Sequence, residues 1–124
     1  MPTPNQVTRG QFLSLKTTLV NAVHNLFERE LPLRRLSILS PEEEQTLSDL
    51  FAKRGDLQDA IALEREAEIN FLSSPNSLEA ANAILKNETA KARAQLQQMA
   101  NLEAALLAAD QIVQIVTNLV TVFG

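Results

Sequence analysis

Apolar residues recur along this chain in steps of three and four, the period of one helical face. They do so in three successive segments. The first carries Phe12, Leu15, Leu19, Val23 and Leu26. Thr8 and Gln11 stand ahead of it with the spacing of a capping box, in which a hydroxyl and a side-chain amide satisfy two free N–H groups. The spacing predicts a helix over about 9–31, after a polar, proline-marked arm at 1–7 that is expected to be flexible. Leu31-Pro32 predicts its end, because proline disfavours helix in the residue before it and brings no N–H. The connector that follows holds Leu33, Leu36, Ile38 and Leu39, and these are expected to plug one end of a bundle with Arg34 and Arg35 in water.

The second segment starts clearly. Ser40 suits the N-cap, Pro41 the first helical position, and Glu43 completes a capping box. Glu42, Glu43 and Glu44 sit against the positive end of the helix dipole. Leu47, Leu50, Leu57, Ile61 and Phe71 keep a helical phase, interrupted by Arg54, Glu64 and Glu68. Gly55-Asp56 offers a stop and restart, but the phase runs through it, so one helix over 41–72 is expected.

Ser73-Ser74-Pro75-Asn76-Ser77 reads as a turn. Beyond it no Pro or Gly occurs before Gly124, and one helix over 76–123 is expected. Leu78, Leu85, Ala92, Met99, Leu106, Val113 and Val120 form a seven-residue repeat along it. Glu88, Gln95 and Gln98 make the middle of that face polar. The fold class is therefore all-α: a three-helix bundle, or antiparallel helical hairpin, with a long heptad-patterned C-terminal helix as its spine. The second helix, of about 32 residues, covers an equal length of the third, and about 17 residues from Ala108 onward project beyond it.

That projection is apolar around most of its circumference. Asp110, Gln114, Thr117 and Thr121 make one narrow polar stripe at helical spacing, which favours helix over strand although Val, Ile and Thr are dense here. Three burials are open to it: under the first helix, in an oligomer, or at a lipid interface. The residues expected to carry partner contact are Leu106, Val113, Val116, Leu119, Val120 and Phe123.

Charge sharpens this picture. Residues 1–39 carry net +3, residues 40–75 net −6, and the whole chain −4. A basic first helix beside an acidic second one favours their contact, although surface pairs add only ~0–1 kcal/mol each. The acidic balance argues against nucleic-acid binding, with Arg29, Arg34 and Arg35 the only local basic cluster. A lipid-surface helix would carry Lys and Arg on its polar face, and none follows Arg93. The N-terminal residues lack a basic start followed by an apolar run, and a cytoplasmic location is the expectation.

The candidate chemistry is thin. With no Cys there is no thiolate nucleophile or thiolate metal site, and with one His no His-rich metal centre. His24 and Glu28, one turn apart, are read as a surface ion pair rather than as metal ligands or a base with its orienting acid. Asp59, Glu64 and Glu68 resemble the carboxylates of helical di-metal sites, but no Glu is followed three residues later by His, so Glu64 and Glu68 are expected at the rim of the apolar seam. No cofactor, metal or catalytic role is expected. The functional expectation is a non-catalytic helical interaction or assembly protein, self-associating through its C-terminal helix. A membrane-active protein that buries that segment in lipid, and a small monomeric adaptor or inhibitor, are the alternatives.

Overall fold

A computed structural model describes residues 4–73 and 78–123, with side chains described for 9–71 and 83–121. The fold is all-α, with helices α1 (Pro4–Arg34), α2 (Pro41–Ser73), α3 (Leu78–Gln97) and α4 (Leu102–Phe123). The helices form a bundle in which α1 packs on α2 and α3, and α4 packs on the same two helices from the opposite corner. The Phe12 and Phe71 rings meet edge to face with centroids 5.7 Å apart, and Arg54 reaches Glu30 near the other end, so α1 and α2 run antiparallel.

The helix starts differ in how far the local sequence specifies them. α1 begins at Pro4, so Thr8 lies inside the helix rather than capping it, and of the expected arm only residues 1–3 fall outside the description. Pro4 suits an N-terminal helical position because its missing N–H has no intrahelical acceptor there. The Ser40 box forms as expected: Glu43 N–H donates to Ser40 Oγ at 3.1 Å, and Ser40 N–H donates to Glu43 Oε1 at 2.9 Å. Gly55 does not break α2.

α1 also passes through Pro32 and ends at Arg34 rather than Leu31. Pro32 faces solvent, while Leu33 packs against the core and holds the extra turn. The connector is not a plug. Ile38 is 87% exposed and Leu36 nearly half exposed. A recess of about 320 Å³, lined by Pro32, Leu33, Thr46, Leu50 and Leu102, remains at that end.

The largest departure is the expected helix over 76–123, which is two helices joined by a turn at Gln98–Asn101. No Gly or Pro marks this turn. Its cause is tertiary: an unbroken helix of that length, ~70 Å, outruns the ~50 Å of α2 and leaves its most apolar stretch uncovered. Folding back at Met99 lays that stretch against α2 instead. The turn is fixed from outside itself, because Arg29 Nη2 donates to the Met99 carbonyl at 2.8 Å and Asn25 Nδ2 at 3.4 Å. Asn101 then caps α4, accepting from Ala104 N–H at 2.9 Å. The expected α2–α3 hairpin does not form among the described residues; α3 pairs with α1 and α4.

α4 buries Ala105, Ala108, Ala109, Ile112, Ile115, Val116 and Leu119. Ala22, Ala60, Ala67 and Ala92 join them from the other three helices. Small side chains at these positions let the helix axes approach closely.

Candidate functional site

The C-terminal residues expected to meet a partner divide into three groups. Val116 and Leu119 are core residues, closed to any second molecule while the bundle stands. Leu106, Val113 and Val120 are half-buried and pack against that core from its flank. The side chain of Phe123 lies outside the described residues. The expected polar stripe is the solvent face: Asp110, Gln114, Thr117 and Thr121 are exposed, and Gln114 Nε2 donates to Asn118 Oδ1 at 3.0 Å. The apolar tail is covered within the chain, by a different route from the one pictured, since α2 and α3 supply most of the cover and α1 less.

A second apolar surface replaces it as the candidate site. On α1, Leu13, Val20 and Phe27 recur every seven residues on the outer side, away from the core positions Phe12, Leu15, Leu19 and Leu26. On α2, Phe51 and Ile69 are 18 residues apart, five turns of helix, and so share one face. Leu13 is 63% exposed, Phe51 59% and Ile69 58%; Val20 is half exposed and Phe27 somewhat less. The three- and four-residue periodicity of α1 marks its inner seam, and the seven-residue spacing of Leu13, Val20 and Phe27 is the sequence signal of the outer one.

The two lines of residues meet at one cluster. The Arg54 guanidinium carbon lies 5.3 Å from the Phe27 ring centroid and 5.4 Å from that of Phe51, within cation–π range of both. The same guanidinium donates from Nε to Glu30 Oε2 at 2.5 Å and from Nη2 to Oε1 at 3.2 Å. Arg34 Nη2 adds a donor to Oε1 at 2.8 Å. Glu30 is fully buried, and burial alone pushes its carboxyl up. The hydrogen bonds from Arg54 and Arg34 outweigh that and hold it below the usual carboxylate range. This ion cluster is the rigid base beneath Phe27 and Phe51. Its polarity reverses the expected one, with the acid on α1 and a base on α2.

Glu64 is a different case. It is a core residue on α2, not a rim residue. Leu57, Ala60, Glu64, Ala67 and Phe71 follow one another in alternating steps of three and four, so the fold places it in the buried phase. Neither carboxylate oxygen has a hydrogen-bond partner among the described residues. Burial pushes its pKa up to about 7, and Glu68 pushes the same way, against weaker opposing pulls from Lys16 and Arg65.

The remaining polar candidates are tied up locally. His24 Nε2 stands 2.9 Å from Glu28 Oε1, with both side chains roughly two-thirds exposed. Lys53 Nζ pairs with Asp110 Oδ1 at 2.6 Å, linking α2 to α4, and that bond raises the Lys53 pKa. Among the described residues no three His, Asp or Glu side chains gather as they would around a metal. An open groove of about 530 Å³ between α1 and α3 is lined by Ser14, Thr17 and Thr18 and by Arg93 and Leu96, and Leu13 borders it as well as the outer face. Thr18 Oγ1 donates back to the Ser14 carbonyl at 2.9 Å.

Compared with known proteins, the chain matches no family model, no curated protein and no solved structure.

Proposed function

We propose that this chain is a non-catalytic helical interaction protein whose working surface is the outer face of the α1–α2 pair. The observation that carries the reading is the line of large apolar side chains at Leu13, Val20, Phe27, Phe51 and Ile69, left in water by a fold that buries its other long apolar runs. Single exposed apolar residues are ordinary, but several on one face mark an interaction surface. Three of the ionisable groups support the same reading, since His24, Glu30 and Lys53 each pair with a neighbouring carboxylate or guanidinium, and Glu64, whose oxygens have no hydrogen-bond partner among the described residues, is sealed in the core.

A photo-crosslinker at Gln58, an exposed position on α2 two turns from Phe51 along the same face, tests it in native extract. A discrete adduct is expected, lost in the Val20→Glu, Phe51→Glu double variant and kept in Leu107→Glu, whose parent residue is exposed on α4. No adduct, or one indifferent to the double substitution, overturns the reading. An adduct to a foreign protein favours the adaptor form of it, and one between copies the assembly form.

A membrane-active reading has one observation in its favour. Leu102–Thr121 is 20 residues long with a mean hydropathy of 1.4, enough by length and composition to cross a bilayer. Its core side chains are spent on α2 and α3, so insertion requires the bundle to open. Flotation with liposomes tests this; α4 protected from protease in the floated fraction is the outcome that favours it.

A further inference from the structure

We propose that a second copy of this chain docks on the outer α1–α2 face, as a two-fold dimer that lays each α1 antiparallel across the α2 of the other copy. The proposal rests on the interaction reading above and names the occupant of the same surface.

Charge decides between two symmetric ways of closing this face. From Pro4 to Arg34, α1 carries Arg9, Lys16, Arg29 and Arg34 against Glu28 and Glu30, a net of +2. From Pro41 to Ser73, α2 carries nine acidic and three basic residues, a net of −6. A two-fold axis in the plane of the face and parallel to the helices exchanges the two sides of the hairpin. Each basic α1 then faces the acidic α2 of the other copy. An axis in that plane but perpendicular to the helices sets α1 on α1 and α2 on α2, which stacks two strongly acidic helices. Only the first arrangement is complementary.

The local pattern agrees. Arg9 and Lys16 flank Leu13 and Val20 at three- and four-residue spacing, while the line from Phe51 to Ile69 has the exposed Asp59 and Glu66 on one side and Arg54 and Arg65 on the side toward α1. The border of the α1 line is thus basic, and the border of the α2 line is acidic on the side away from α1. Because an axis parallel to the helices preserves direction, α1 meets the partner's α2 antiparallel, as it meets its own. The seven-residue spacing of Leu13, Val20 and Phe27 suits that packing. Phe27 and Phe51, braced by Arg54, provide the aromatic and arginine anchors that carry interface energy.

The face is small. It runs ~27 Å along α2 and spans two helices set ~10 Å apart, a flat area of ~500 Å² against the ~800 Å² per partner of a standard interface. The dimer is therefore weak and depends on concentration and salt.

Solution mass by light scattering, with refractive-index detection because the chain has no Trp or Tyr, tests it from micromolar to millimolar protein. The expected result is a monomer–dimer transition within that range, weaker at high salt. Val20→Glu and Phe51→Glu remove it, with helical circular dichroism unchanged, and Leu107→Glu leaves it in place. The absence of native cysteine allows a test of orientation. Thr17 stands at about the height of Glu66, given that Phe12 lies level with Phe71 and Glu30 with Arg54. Equal amounts of T17C and E66C are mixed and oxidised, and the mixed disulfide is expected to exceed both like pairs. A monomer throughout the range, a dimer indifferent to Val20→Glu, a dimer strengthened by salt, or an excess of like pairs overturns the proposal. If the chain stays monomeric while the Gln58 adduct to a foreign protein is lost in the double variant, the dimer fails and the interaction reading survives.

Discussion

Two glutamates in the core pull stability in opposite directions with pH. Glu30 is ionised and held by two arginines, so its pKa lies below the ordinary 4.5. Its contribution is present above that value and is lost as the pH falls through the lowered folded-state pKa. Glu64 is the reverse: without a hydrogen-bond partner among the described residues and raised from 4.5 to about 7 by burial. Its protonated form suits the core, so the stability it supports is full below 4.5 and declines as the pH rises to about 7. A shift of that size corresponds to about 3 kcal/mol between the two ends of the window. Glu64→Leu is expected to raise stability at pH 8 by about 2–3 kcal/mol and to flatten the wild-type decline, as read from urea unfolding at pH 4.5 and pH 8. A variant less stable than wild type at pH 8 would show that Glu64 has a partner in solution. Arg54→Ala leaves Glu30 with Arg34 alone and is expected to cost about 2–3 kcal/mol at neutral pH, less at low pH, in the same assay.

At the scale of elements, the boundaries readable in the sequence were those written in local chemistry. Ser40, Pro41 and Glu43 specify a helix start through atoms within four residues of one another, and the start forms there. The α3–α4 turn has no such local cause. Its amino acids are compatible with helix, and the groups that hold it, Arg29 and Asn25, come from 70 and 74 residues earlier in the chain than Met99. Only the cap at Asn101 was visible in principle. Asn101→Ala is expected to cost about 1 kcal/mol in thermal or urea unfolding. Arg29→Ala is expected to raise amide exchange at Met99–Asn101 before it raises exchange elsewhere, because it frees the carbonyl that anchors the turn. Uniform exchange across α3 and α4 in that variant would mean that the turn is held by apolar packing alone.

For the whole molecule, the central question was which side of an apolar helix faces inward. The heptad seam joins Leu106, Val113 and Val120 to Ala109 and Val116, three positions on from Leu106 and Val113; the first three lie on the flank of the core, and only the last two are buried in it. The side opposite Asp110, Gln114, Thr117 and Thr121 is the one that is buried, through Ala105, Ala108, Ile112 and Leu119. On a helix apolar almost all round, the polar stripe gives the direction better than any apolar repeat does. Leu119→Ala is therefore expected to cost ~2–5 kcal/mol, whereas Leu107→Ala, on an exposed site, stays within ~0.5 kcal/mol of wild type in the same urea titration. Equal costs would place Leu107 in an interface of the folded state.

The sequence by itself determined the helical class, the cap at Ser40, the continuity of α2 past Gly55 and the helical state of the C-terminal segment. All of these follow from periodicity and from interactions within about one turn. Tertiary structure alone decided that one apparent helix would fold into two, that α4 would be covered inside the chain, and that Glu64 would be sealed in the core. It also decided that the outer sides of α1 and α2 would stay in water. The physical reason is the same in each case. A helix carries more than one apolar line, and which line is buried depends on the lengths and positions of its neighbours, which no stretch of local sequence contains.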